Sequence, residues 1–336
     1  MKLQQVISQL KQYLEGQYAN VVNVIKTRDI SEYRYRQVIV PTYGKQDGNY
    51  QSRFHFLIYL LYFIDCFSRE EIEDIIRDLF KEELIDRRTN SFQGIGLSLE
   101  ILTYLLSYYN KEEYIQLFKE AKEANFDCHC GYKYENINQA PMDLDFSIYT
   151  IDDCLYLSNE LQLNTLTKEI AEIKKQDKNI NIYDLSKLRY YYRDLQDDKN
   201  ELLILEKIMI ETEKQGNLWK ICNTQIDYLK KLICLDQMEA AKKIIEQIRT
   251  YIHESRADWY EYNQGLYYIE SCLDFILKDT DEGYKKELWD WSCCYLKQRE
   301  GFYGNLVSKI ISVAAMYGED EYARKIEEDW NERINF

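Results

Sequence analysis

The 336-residue chain is 46% hydrophobic and carries 58 acidic residues against 43 Lys and Arg, a formal net charge of −15. That is ample core material for one long or two ordinary domains, and the acidity argues against a nucleic-acid partner, whose phosphates it repels. Only two prolines and 12 glycines occur, so little interrupts helix.

In chain order, residues 1–18 are amphipathic and lack the charged-then-apolar form of a secretion signal, which predicts a cytoplasmic protein. Thr27–Arg53 is irregular. Its stretch Tyr33–Val40 alternates, which fits a short strand, while Pro41 just beyond fits a helix that stops before it. The longest apolar run, Phe54–Phe67, contains His55 and Asp65 and falls short of the roughly 20 residues of a membrane span. Helix starts with capping-box spacing follow at Ser68–Glu71 and Asn110–Glu113, and further starts near Asn164 and at Asp197–Asn200. Gln93-Gly94-Ile95-Gly96-Leu97 lacks the third glycine and preceding strand of a phosphate loop and reads as a helix start with close backbone packing. Asn125–Tyr149, with Cys128-His129-Cys130-Gly131 and Pro141, reads as a long loop.

The clearest unit is Leu218–Tyr251. Trp219, Cys222, Ile226, Leu229 and Leu232 recur at three- and four-residue steps and predict one helix; Leu235-Asp236-Gln237 breaks it. Met238, Ala241, Ile244, Ile245 and Ile248 predict a second helix. A like pair lies at the end of the chain, around Leu306–Ala314 and Tyr322–Trp330, joined at Tyr317–Asp320. Between them, Trp259–Leu277 and Tyr284–Leu296 flank the start signal Asp279-Thr280-Asp281-Glu282. Ile72, Ile115, Leu166, Leu202, Ala241, Tyr284 and Ala323 become equivalent positions, at steps of 43, 51, 36, 39, 43 and 39 residues. The fold class is therefore all-α, an array of antiparallel helical hairpins. Residues 1–53 are expected to be N-terminal helices and an irregular loop, and 54–336 a helical-repeat domain with an insertion at 125–149.

Through Leu232, Ala241, Ile245 and Ala323 the chain resembles the tetratricopeptide-repeat class of α-solenoid over roughly residues 55–332. It departs from that class in lacking the proline after the second helix and in steps longer than about 34 residues. The resemblance implies a curved array that offers a concave face to a protein or peptide.

No catalytic constellation emerges. The nine cysteines are odd in number and mostly sit in apolar runs such as Leu232–Leu235, as reduced core thiols do. Cys128-His129-Cys130 would need Cys154, His55 or a carboxylate as a further zinc ligand, and its spacing is not a zinc pattern. A thiol nucleophile served by His129 or His55 meets the objection that adjacent side chains rarely reach that geometry. His253-Glu254 begins a zincin motif, but Ala257 stands where the second histidine belongs. No catalytic residue, metal or cofactor is assigned, and the chain is read as a non-enzyme.

Binding is the remaining role. Aromatics reach 14%, with 31 tyrosines. Consecutive aromatics on a helix diverge by about 100° per residue, so some of each cluster must leave the core. The residues expected to meet a partner are Tyr190, Tyr191, Trp259, Tyr260, Glu261, Tyr262, Trp289, Asp290 and Trp291, forming an aromatic and acidic groove for a basic protein or a peptide. No nucleic acid or membrane is expected. In general character the chain resembles the immunity proteins of bacterial polymorphic-toxin systems, which implies neutralisation of a cognate, basic toxin by direct binding. A helical-repeat peptide sensor or adaptor is the alternative.

Overall fold

A computed structural model describes residues 2–40, 44–91, 94–177, 179–299 and 301–334. The fold is all-α apart from one small β-hairpin, and the chain divides into two compact units, Met1–Ile170 and Ala171–Phe336.

The first unit opens with α1 (Leu3–Gly16) and α2 (Tyr18–Thr27), followed by strands β1 (Gln37–Val40) and β2 (Gly44–Asp47). Then come α3 (Tyr50–Tyr62), α4 (Arg69–Thr89), α5 (Leu97–Lys122), α6 (Phe126–Gly131) and α7 (Ile151–Glu160), and α8 (Asn164–Lys175) runs across the division. Helix α3 is buried from Phe56 to Leu61 without a break, because α2 and α5 both pack on it. The Ser68/Glu71 capping box starts α4 as its spacing requires. At the second such signal Asn110 adopts extended backbone, φ −162° and ψ 94°, so the span of α5 holds two helical segments and the second starts where the spacing predicts. Beyond Asn110, Glu113 accepts from Arg69 at 2.6 Å and Tyr114 bonds Glu73, partners 44 and 41 residues away.

Between Thr27 and Arg53 the alternating residues form a strand, and the alternative of a helix stopping before Pro41 is not what the chain adopts. Ser31–Tyr33 make a single 3-10 turn, and Gln37–Val40 pair antiparallel with Gly44–Asp47. Pro41 and Gln93 lie outside the described residues. The insertion is more ordered than a loop. Asn125 caps α6 by accepting the Cys128 N–H at 2.8 Å, and Thr150 and Asp153 form the capping box of α7. The coil between them is tied down by buried Tyr132, Tyr134, Met142, Phe146 and Tyr149.

The second unit is regular. It runs through α9 (Ile182–Asp194), α10 (Asp198–Lys214), α11 (Leu218–Cys234), α12 (Met238–Ser255), α13 (Asn263–Lys278), α14 (Glu282–Leu296), α15 (Gly304–Met316) and α16 (Asp320–Ile334). Residues 195–197, 235–237, 279–281 and 317–319 join these helices in pairs, and connections so short force antiparallel hairpins. In three of them the middle residue is left-handed: Gln196 (φ 54°), Asp236 (φ 55°) and Gly318 (φ 73°). Helix α11 packs on α13, and α13 on α15, so the first helices of successive hairpins stack. The sequence period reappears as contacts: Arg189–Asp227 and Arg249–Glu287 join residues 38 apart, and Lys242–Asp281 and Lys309–Glu270 join residues 39 apart.

One helix starts later than its periodicity predicts. Trp259–Glu261 form a 3-10 turn, and α13 begins only at Asn263. Gly265 permits that entry, since a Cβ there would stand 2.2 Å from the Trp259 carbonyl oxygen. Among the described residues no helix is long and apolar enough to cross a membrane.

Candidate binding surface

Helices α12, α13 and α14 converge on an aromatic cluster. Trp259 is fully buried and stacks on Trp291, ring centroids 5.6 Å apart and planes 7° from parallel. Tyr260 and Tyr268 meet Trp259 edge-on at 5.9 and 6.1 Å, and Tyr295 lies 4.8 Å from it. His253 of α12 meets both tryptophans, at 5.6 and 6.2 Å. One turn earlier, the Arg249 guanidinium sits 5.2 Å from the Trp291 ring centroid and bonds Glu287 at 2.9 Å. Tyr268 donates to the Ile245 carbonyl at 2.8 Å, and burial pushes its phenol well up. The Trp259 indole N–H has no hydrogen-bond partner among the described residues, so ring contacts alone hold it.

Trp291, Tyr260 and Tyr295 are half-buried and His253 is exposed, which gives the cluster a buried floor and a solvent-facing rim. Partial desolvation against the neighbouring rings, and the Arg249 cation, push the His253 imidazole below its usual value. Carbon-rich, half-exposed and held by packing on three helices, this rim can do one thing well: present rigid contact area.

Of the nine residues expected to meet a partner, the structure brings together Trp259, Tyr260 and Trp291. Trp259 serves as floor, without exposed surface. Tyr262 turns away to meet Trp219 at 5.9 Å, beneath the Arg256 guanidinium at 3.8 Å. Glu261 is exposed beside the turn. Trp289 cannot touch a partner: it is fully buried, donates to Glu319 at 3.0 Å and stacks on Tyr317. Positions two residues apart on a helix diverge by roughly 200°, so Trp289 faces the turn between α15 and α16 while Trp291 faces α12. Asp290 is exposed but paired with Lys286 at 2.6 Å. Tyr190 and Tyr191 sit on α9, well separated in chain order from the tryptophans. Tyr190 is half-exposed under Arg193, and Tyr192 beside them is buried and donates to Glu172 at 2.8 Å. Besides the exposed acids Glu261 and Asp290, the cations Arg249 and Arg256 lie over aromatic faces here. Arg249, His253 and Tyr295 were missed from sequence. The available signal was the matching four-residue spacing of Arg249/His253 on α12 and Trp291/Tyr295 on α14.

The cysteine–histidine cluster does not converge. Cys128 is buried with its Sγ 3.6 Å from the Gly94 carbonyl, and burial pushes its thiol up, while His129 and Cys130 are exposed. Cys154 is buried on α7, pushed up to about 11. His55 on α3 contacts the Glu160 carbonyl at 2.9 Å, and burial lowers its imidazole. Among the described residues, no group of three or more His, Cys, Asp or Glu is placed to hold a metal ion.

The first unit has a different focal point, a buried charge network. Arg53, fully buried on α3, donates to Asp47 at 2.7 Å and to Glu83 at 2.7 and 2.9 Å. Glu83 also accepts from Ser98 at 2.6 Å and faces Arg87 at 3.2 Å, and Arg87 bonds Asp86 and the Gly94 carbonyl. Its carboxylates hold the Arg53 guanidinium above its ordinary value despite burial. The network ties β2, α3, α4 and the start of α5 to one point. Every charge in it is buried, so the network anchors these elements.

No family model, curated protein or solved structure matches this chain.

Proposed function

We propose that the protein acts by stoichiometric binding, as an immunity protein that neutralises a cognate, basic bacterial toxin domain. The observation that carries this reading is the rim of Trp291, Tyr260 and Tyr295 on stacked hairpins, an aromatic patch set in a rigid frame. Stacked hairpins of this kind build α-solenoids, whose extended faces take up protein partners. Exposed Glu254 and Glu261 flank the patch and supply acceptors for a cationic partner. The wider field has the same sign: acids outnumber bases 26 to 18 in the first unit and 32 to 25 in the second.

The test is co-expression with the product of the adjacent gene in a host which that product kills. The reading predicts survival and a co-purifying complex, with protection reduced at least tenfold by a Trp291→Ala, Tyr260→Ala double variant that keeps its helical circular dichroism. Absence of both complex and protection rejects it.

A further inference from the structure

The β-hairpin of the first unit has one covered edge and one open edge. Strand β2 is covered: the Ser91 N–H donates to the Lys45 carbonyl at 2.8 Å, and the Lys45 N–H donates to Ser91 Oγ at 2.8 Å. Both backbone groups of Lys45 therefore point away from β1. In an antiparallel ladder the residue opposite must then point its own groups away from β2. That residue is Ile39, and two positions earlier Gln37 shares its parity. The Gly48 N–H to Arg36 carbonyl bond, 2.7 Å, fixes the same register from the other end. So the N–H and C=O of Gln37 and Ile39 face outward along β1, and among the described residues no backbone partner meets them. Ile39 itself is 65% exposed. Such an edge is a template for another strand.

Two further facts bear on what could occupy it. The hairpin is held rigidly, because Asp47 at its base accepts from the Arg36 and Asn49 N–H groups at 2.9 Å each while its other oxygen takes Arg53 in the buried network. A strand that docks there finds its template already ordered. The charge beside the edge is also opposite to that of the whole chain. The Arg36 side chain is exposed and, among the described residues, hydrogen-bonds the neutral Asn49 and Gly48 oxygens, Arg34 reaches Glu82 no closer than 4.0 Å, and Lys45 is exposed across from Ile39.

We infer that β1 is a docking strand for an extended, acidic segment of a partner protein, which adds to the hairpin as a third strand through the backbone of Gln37 and Ile39. Arg36, on the face of the hairpin opposite Ile39, takes its carboxylates, and an apolar side chain of the segment covers Ile39. This surface is separate from the aromatic rim, and the inference stands or falls independently of the toxin reading.

The test uses the full chain and a labelled eight-residue peptide of alternating Glu and Val, with its Lys/Val counterpart as control, followed by fluorescence anisotropy. Ile39→Pro removes one outward N–H and leaves the β1–β2 ladder intact. Expected are saturable binding of the Glu/Val peptide, at least tenfold weaker binding by Ile39→Pro and by Arg36→Ala, and none of the Lys/Val peptide. Equal binding by Ile39→Pro, with unchanged circular dichroism, overturns the inference, as does absence of Glu/Val binding. A dimer seen by sedimentation and abolished by Ile39→Pro also overturns it, since the occupant is then a second copy of the chain.

Discussion

The two units solve the same problem, holding helices together, with opposite chemistry. At the heart of the first, Arg53 is buried between Asp47 and Glu83, and Arg87 joins Glu83 to Asp86. At the corresponding point of the second, Trp259, Trp291 and Tyr268 pack ring against ring. An ion network is directional and fixes where a β-hairpin and a loop must sit. Ring packing tolerates adjustment and is repeated easily from one hairpin to the next. The difference matches the regularity of the second unit and the irregular β-hairpin and insertion of the first.

The contrast is sharpest at Arg53. Replacing it by Met leaves Asp47 and Glu83 enclosed without their cation, and should cost about 3–5 kcal/mol of stability in a urea titration. A loss under about 1 kcal/mol would mean that water reaches the network and that it is not the anchor described. Trp259→Ala removes the floor of the aromatic cluster and should cost about 3 kcal/mol, since half-exposed rim residues can partly collapse into the gap. Smaller is Asn181→Ala, which deletes the cap that accepts the Tyr183 and Asp184 N–H groups at the start of α9, at about 1 kcal/mol. The least effect attaches to the ladder between hairpins. Lys242→Ala, which breaks an exposed pair with Asp281, should lower the melting temperature least of these variants, and less still in high salt. Stability should also depend on pH through His55 and His253, both depressed below the ordinary 6.5. Their neutral forms favour the folded state fully above pH 6.5, and the contribution is lost as pH falls through the folded-state values, so His55→Gln should flatten the acid side of a melting-temperature profile.

Where the chain repeats itself, its architecture was readable. Ala241, Tyr284 and Ala323 all fall in the first turn of a second helix, and Asp197 and Asp281 cap the helices their positions announced. The reason is physical: short-range caps and apolar periodicity are written in neighbouring residues. Arg53 was illegible for the complementary reason. A single arginine in an apolar helix gives no local sign that Asp47 and Glu83 will enclose it. The aromatic site was legible in part. Trp289 and Trp291 look alike in sequence, and only the direction of their helix decides that one becomes core and the other rim.

In the proposed role, an acidic chain captures a cationic partner. The most direct measurement of the proposed capture is titration calorimetry of the full chain with the product of the adjacent gene, repeated at rising salt. A one-to-one complex is predicted, weakening steadily from 50 to 500 mM salt as screening shortens to about 4 Å. An affinity indifferent to salt, or no heat of binding at any concentration, would contradict it.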